Sequence, residues 1–170
     1  MQTRTRLFFS AFITVLGFAA ASNASALERL YIYLHIPGVM GTVKTKGFEG
    51  DIEITSYSQS LQNNGTGARP TCGPTQLTKN VDVSSQFFSR SVLEQSAPFT
   101  ADILFVDPVT LMPSTIISMR SAKVVAITDA GSESAGQLTE NLMLESSNIS
   151  VSYINGTARE SYTASCPLNP

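Results

Sequence analysis

Residues 30–38 read Leu-Tyr-Ile-Tyr-Leu-His-Ile-Pro-Gly, and this stretch decides the fold class of the chain. Aliphatic side chains alternate there with those of Tyr31, Tyr33 and His35. A period of two is typical of a β-strand that buries one face. The following proline lacks an N–H for the ladder and the glycine permits a turn, so the strand ends there. We therefore predict a half-buried strand with the two tyrosines and the histidine on its outer face.

The same alternation recurs along the chain and predicts about seven strands, in the manner of an all-β protein. Besides the first strand, the strongest segments are 51–57, 77–83, 99–105, 115–127, 142–144 and 149–153. The alternation shifts by one residue at Arg120-Ser121, which predicts a β-bulge, and shifts again at Ser146-Ser147, which predicts a bulge or a turn. Residues 59–74 are rich in glycine and proline, so a surface loop is predicted there.

One helix is predicted, over residues 84–95. Asp82, Ser84 and Ser85 offer side-chain oxygens to the free N–H groups of a first helical turn, and Pro98 blocks much continuation. A helix this short needs to pack on a sheet to be stable. The predicted fold is therefore mainly β with one covering helix, arranged as a compact β-barrel or a pair of packed sheets.

Residues 1–26 have the pattern of a secretory signal peptide. Arg4 and Arg6 precede an apolar run, and Ala24-Ser25-Ala26 supplies the small-x-small pattern after which a signal peptidase cuts. The apolar run has about 15 residues, fewer than the roughly 20 that span a bilayer, which makes a retained membrane anchor the weaker alternative. We predict a signal peptide at 1–26, one domain at 27–170, and an exported protein that is periplasmic or extracellular, without stable membrane insertion.

Charge and cysteine content narrow the function further. The chain carries a formal net charge of −2 and has two cysteines and one histidine. A mildly acidic chain without basic clusters does not favour nucleic acid as a partner. Export brings Cys72 and Cys166 into an oxidising space, which favours a disulfide between them. Two cysteines and a distant histidine give only a weak zinc pattern, so no metal site is predicted.

Three stretches together resemble the Hcp family, the tube protein of bacterial type VI secretion. Residues 36–54 are similar to the family's opening strand, Pro-Gly loop and second strand. Residues 77–82 and the helix after them resemble its Thr-Lys-x-x-Asp stretch before a single helix. Residues 122–144 resemble a strand, a Gly-Ser-rich turn and a Thr-Glu-x-Val-x-Leu strand.

This resemblance implies a β-barrel subunit that forms six-membered rings with an open lumen. The rings stack into a tube that can carry effectors, and neither catalysis nor a cofactor is implied. The chain departs from the family in its signal peptide, in its cysteine pair, and in Tyr57-Ser58-Gln59-Ser60, where the family has an aromatic pair. Cys72 lies in the loop that contacts the neighbouring ring in the family. The alternative is therefore a secreted monomeric binding module or virulence-associated protein without a tube role.

Candidate catalytic residues are few. His35 is the one histidine, so a Ser-His-Asp or Cys-His arrangement would have to use it. Asp51 and Glu53 share a strand face and could form a carboxylate pair, although neighbouring acidic residues on a solvated face are far commoner. The glycines between 38 and 50 lack the signature of a phosphate-binding loop. We predict a non-enzyme with Tyr31, Tyr33 and His35 as interface residues.

Overall fold

The computed structural model describes residues 29–62, 65, 71–131 and 136–166. The predicted signal peptide, with Ala24 and Ala26 at its cleavage site, lies outside these residues and stays a prediction. In chain order the elements are β1 (Tyr31–His35), β2 (Ile52–Ile54), β3 (Ser56–Ser58), β4 (Leu61–Gln62), β5 (Thr71–Cys72), β6 (Thr75–Asn80), α1 (Ser85–Leu93), β7 (Phe99–Val106), β8 (Pro113–Ala130), β9 (Thr139–Glu145), β10 (Asn148–Asn155) and β11 (Ala158–Ser165).

Two sheets share the long strand β8. Its first half pairs with β7 on one side and β10 on the other, which gives a sheet in the order β2-β1-β7-β8-β10-β11. Its second half pairs with β9, which gives a sheet in the order β8-β9-β6-β3. All these pairs are antiparallel. The mainly β fold with packed sheets and one helix is therefore confirmed.

β8 crosses from one sheet to the other at the residues where the alternation of buried and exposed side chains shifts in the sequence. Ser121 has a φ of 50°, and the pairing of β8 with β7 shifts register beside it, so the predicted bulge at Arg120-Ser121 is confirmed. Strands β9 and β10 lie end to end along the same edge of β8, because Glu145 faces Lys123 and Asn148 faces Arg120. The break at 146–147 interrupts a strand without reversing it.

The strands at the two ends of the sheet order, β2 and β3, follow each other directly in the chain. β2 pairs with β1, β3 pairs with β6, and only Thr55 separates β2 from β3. The Thr55 N–H donates to the Thr78 carbonyl at 2.8 Å. In the described residues no strand pairing closes the sheets into a complete barrel, so the compact form rests on two sheets joined by bent strands.

Aliphatic side chains from both sheets form one core beneath the helix. Phe88 of α1 is fully buried, and α1 packs against β8. The helix begins one residue later and ends two residues earlier than predicted, and Asp82 accepts the Ser84 N–H at 2.9 Å. The fully buried core side chains include Leu34, Ile52, Leu77, Phe88, Ala101, Ile103, Met119, Ala122, Leu142 and Leu144.

Two segments carry strands that the sequence pattern does not indicate. The last strand, β11, has no buried face, and seven of its eight residues are exposed, so hydrophobic alternation is absent. Its order comes from main-chain pairing with β10. The predicted surface loop at 59–74 also contains a short hairpin of β4 and β5.

Gly41 allows two backbone segments to approach closely. Its N–H donates to the Gly50 carbonyl at 2.6 Å, and a Cβ built at Gly41 would overlap the Asp51 carbonyl group. We expect Gly41→Ala to lower the free energy of unfolding by about 1–3 kcal/mol, because backbone must move to admit the methyl group. Urea denaturation measures this loss. Gly131→Ala is the matched control, since its nearest obstacle is the flexible Leu138 side chain, and an equal effect of both changes would contradict the prediction.

Candidate functional site

The loop 38–50 folds back over the outer face of β1 and buries Tyr33. That side chain is 4% exposed, and its ring lies 5.2 Å from the ring of Phe48. Its hydroxyl is 2.9 Å from Thr45 Oγ1, and burial raises the pKa of Tyr33. Val43 and Val106 complete this small second core. The predicted outer face is therefore largely covered at its centre.

Tyr31 and His35 remain accessible on either side of Tyr33. Tyr31 is 41% exposed, and the His35 side chain is 51% exposed. Of the three residues predicted for an interface, only these two can contact a partner at the surface. The role of Tyr33 in the structure is to anchor the covering loop.

His35 is within hydrogen-bond distance of Asp51. Its Nδ1 lies 2.8 Å from Asp51 Oδ1, and Asp51 itself is 8% exposed. Asp51 thus contacts the histidine, while Glu53 is exposed on β2. Among the described residues no serine, threonine or cysteine side chain hydrogen-bonds to His35. The pair ties the end of the loop to β1 and does not assemble a nucleophilic triad.

A network of hydrogen bonds and ion pairs surrounds Lys79 of β6, whose side chain is fully buried. Lys79 Nζ lies 2.8 Å from Asp82 Oδ1 and 3.0 Å from Glu140 Oε2, so one ammonium group forms ion pairs with two carboxylates. It also donates to the Asn80 carbonyl at 2.7 Å and to Ser85 Oγ at 3.0 Å. Glu140 is 2% exposed.

Hydrogen bonds satisfy the rest of this network. Ser85 Oγ donates to Glu140 Oε2 at 2.8 Å and accepts the Asp82 N–H at 3.0 Å. Burial acts to raise the pKa of Asp82, but hydrogen bonds from Lys79 and Ser84 and the charge of Lys79 outweigh it and lower that pKa. Every buried polar side-chain atom in the described residues has a partner. The network joins β6, β9 and the start of α1, so we interpret it as a structural anchor.

Cys72 and Cys166 form a disulfide, with their Cα atoms 5.4 Å apart. Both sulfurs are thereby unavailable as metal ligands. The described residues contain no cluster of three or more His, Cys, Asp or Glu side chains suited to a metal ion. Within the same part of the chain, no helix has the length and apolarity needed to cross a membrane.

Aromatic side chains collect near the end of the sheet where β7 meets β8. The rings of Tyr57 and Phe105 lie 5.2 Å apart, and those of Tyr153 and Tyr162 lie 6.3 Å apart. Burial, with smaller contributions from Tyr162 and Tyr153, raises the pKa of Tyr57 to about 12, so its hydroxyl stays a donor, here to Gln59 Oε1 at 3.0 Å.

Exposed apolar residues extend this end into a surface patch that the sequence reasoning missed. Strand pairing places Tyr31 beside Val106, next to the loop 107–112, at one end of the larger sheet. Tyr153 and Tyr162 lie on the other face of this sheet, because Tyr153 pairs with Thr115, Thr115 with Phe105, and Phe105 with Ile32, the neighbour of Tyr31. Large exposed apolar surface marks interaction sites. We call the group around Tyr31 the apolar end patch, and its members are Leu30, Tyr31, Val109 and Met112.

A cleft of about 400 Å³ lies toward the opposite end, between the loop after β1 and helix α1. Met40, Val83 and Phe87 line it, together with the exposed ion pair of Arg90 and Glu94. Met40 and Val83 are 70% and 68% exposed. The described part of the chain therefore presents exposed apolar side chains in two separate places.

These features define a mainly β structural module. It has exposed apolar surfaces, and a buried polar network joins β6, β9 and α1. A family model described as "Type VI secretion system effector, Hcp" matches residues 33–153. The match spans well over half of the chain, and the protein belongs to the Hcp family. It is a type VI secretion tube-like protein. The comparison with curated proteins returned no match.

Solved structures of the same family share the fold at low sequence identity. Hcp1 from Salmonella typhimurium aligns with a TM-score of 0.72 at 14% identity, over 80% of this chain and 94% of that one. A type VI secretion system effector from Yersinia pestis gives 0.70 at 10% identity, over 79% and 98%. The secreted protein Hcp3 from Pseudomonas aeruginosa gives 0.64 at 12% identity, over 82% and 100%.

Proposed function

We propose that this chain is an exported Hcp-like subunit whose mature form, residues 27–170, associates into six-membered rings. The observation that carries the proposal is the family match over 33–153, which begins just after the predicted cleavage site. Rings of identical subunits need two different surfaces on each copy. The apolar end patch and the cleft beside α1 offer two such surfaces. Such a ring needs no cofactor or metal, and its lumen could hold a secreted effector or other protein partner.

Fractionation followed by intact mass and light scattering tests the proposal. We expect the exported fraction to contain a chain that starts at residue 27 and assembles to about six times the subunit mass, or to a whole multiple of that ring mass. Ala26→Arg should block cleavage, because signal peptidase requires a small residue at that position. A strict monomer at high concentration would contradict the ring. Comparison of periplasm with medium shows where the protein resides.

A secreted monomeric binding module is the second candidate. The disulfide favours it, because Cys72 lies in the loop that contacts the neighbouring ring in the family, and the bond ties this loop to Cys166. Deleting type VI components from the host separates the two functions. Unchanged export and a monomeric product would support the binding module, while a loss of export would support the tube-related role.

A further inference from the structure

The last strand, β11, has a free outer edge in the described part of the chain. It pairs with β10 alone, in an unbroken register from Asn148 opposite Ser165 to Asn155 opposite Ala158. Natural sheets protect their edges with proline, bulges, charged side chains or a short strand. β11 is eight residues long, is regular and contains no proline, and its two charged residues, Arg159 and Glu160, both lie near its start, so residues 161–165 carry no charge. The edge is therefore open to another strand.

The hydrogen bonds of the hairpin show which main-chain groups of β11 point outward. The Cys166 N–H donates to the Ser147 carbonyl at 2.8 Å, and the turn at Gly156-Thr157 makes Asn155 face Ala158. In an antiparallel ladder, successive residues turn their N–H and C=O groups to opposite sides. Even-numbered residues of β11 therefore face β10. The residues whose N–H and C=O groups point outward are Arg159, Ser161, Thr163 and Ser165.

The edge is held in place at both ends. The hairpin turn fixes its start, and the disulfide at Cys166 fixes its end. A strand that is already ordered loses little conformational entropy when it pairs. Tyr162 of this strand is 44% exposed and its ring lies 6.3 Å from that of Tyr153, so pairing at this edge would also cover apolar surface.

We propose that β11 pairs antiparallel with β11 of a second copy of this chain, across a two-fold axis at Tyr162. In this register Arg159 faces Ser165 and Ser161 faces Thr163, so all four outward-facing residues find partners. Glu160 faces Ala164, and no like charges are opposed. The two Tyr162 side chains meet at a non-hydrogen-bonded pair, where cross-strand side chains lie closest. This self-complementarity favours a second copy over an unrelated strand.

The contact differs in symmetry from the proposed ring. A two-fold contact uses the same surface on both copies, whereas a ring uses two different surfaces. Pairing through β11 therefore joins two rings if rings form, and joins two single chains if they do not. In either case the loss of this contact halves the mass of the assembly.

Thr163→Pro tests the proposal on the full mature, oxidised chain. The substitution removes one outward N–H and no hydrogen bond to β10, and edge strands tolerate such a proline. Thr163→Ala is the matched control, because it keeps the N–H and loses the same hydroxyl. We expect light scattering to show half the wild-type mass for the proline variant and the full mass for the alanine variant. An unchanged mass for the folded proline variant would overturn the pairing.

Tyr162→Lys provides a second test that leaves the main chain intact. It places two ammonium groups opposite each other at the axis, so the mass should halve, and added salt should partly restore it. Tyr162→Phe should assemble like the wild type. A fall from ring to single chain would show that β11 is a ring contact, which would overturn the two-fold pairing and leave the proposed ring standing. A monomeric wild type would overturn both.

Discussion

Replacement of Lys79 by methionine is expected to lower the free energy of unfolding by about 3–5 kcal/mol, the usual loss when one partner of a buried ion pair is removed. Methionine preserves most of the side-chain length but carries no charge. Glu140, which is 2% exposed, then keeps a buried carboxylate without its ammonium partner. Ser85 alone cannot replace that charge.

Urea denaturation followed by circular dichroism measures the loss, with Arg90→Met as the control. Arg90 forms an exposed pair with Glu94, and such pairs contribute little, so this control should change stability only slightly. The double variant Lys79→Met, Glu140→Leu should regain much of the stability, because apolar side chains often replace a buried pair without loss. A wild-type midpoint for Lys79→Met alone would show that the network does not stabilise the fold.

The strands with one buried face could be predicted from the sequence, and the helix could be placed within two residues. β1 and β7 alternate because one face packs on the core and the other does not. β11 could not be found in this way, because seven of its eight residues are exposed. Main-chain pairing with β10 orders it, and that pairing leaves no hydrophobic period.

The functional surfaces were less predictable than the strands. Alternation placed Tyr33 on the outer face of β1 correctly, but only the folded loop 38–50 shows that this face is covered. The stretch around Lys79 resembles a family pattern in the sequence, which does not show what the lysine contacts. Its partner Glu140 is 61 residues away in the chain and comes within hydrogen-bond distance only in the folded structure. Contacts between distant segments depend on the complete topology, which periodicity does not encode.

The double variant Cys72→Ser, Cys166→Ser is expected to lose about 2–5 kcal/mol of stability, as is usual when a native disulfide is removed. The two cysteines are 94 residues apart in the chain, so the bond restricts a large loop in the unfolded state. Chain-entropy arguments give greater stabilisation for longer loops.

The position of the disulfide predicts which strand loses the most stability when the bond is removed. β6 and β11 both pair with the same edge of the β9–β10 segment, where Thr75 faces Leu144 and Ser165 faces Asn148. The disulfide links Cys72, which lies three residues before β6, to Cys166, which directly follows β11. Without it, β11 keeps only its pairing with β10. Hydrogen exchange in the double variant should therefore accelerate most in β11 and least in the core strand β7.

Reduction of the wild-type protein gives an independent measure of the same bond. Dithiothreitol should lower its urea midpoint to that of the double serine variant, and should leave the variant itself unchanged. A reduced wild type that is as stable as the oxidised form would contradict the prediction. If the loss is confirmed, the chain reaches full stability only in an oxidising compartment. The disulfide would then link the stability of this Hcp-family fold to its export.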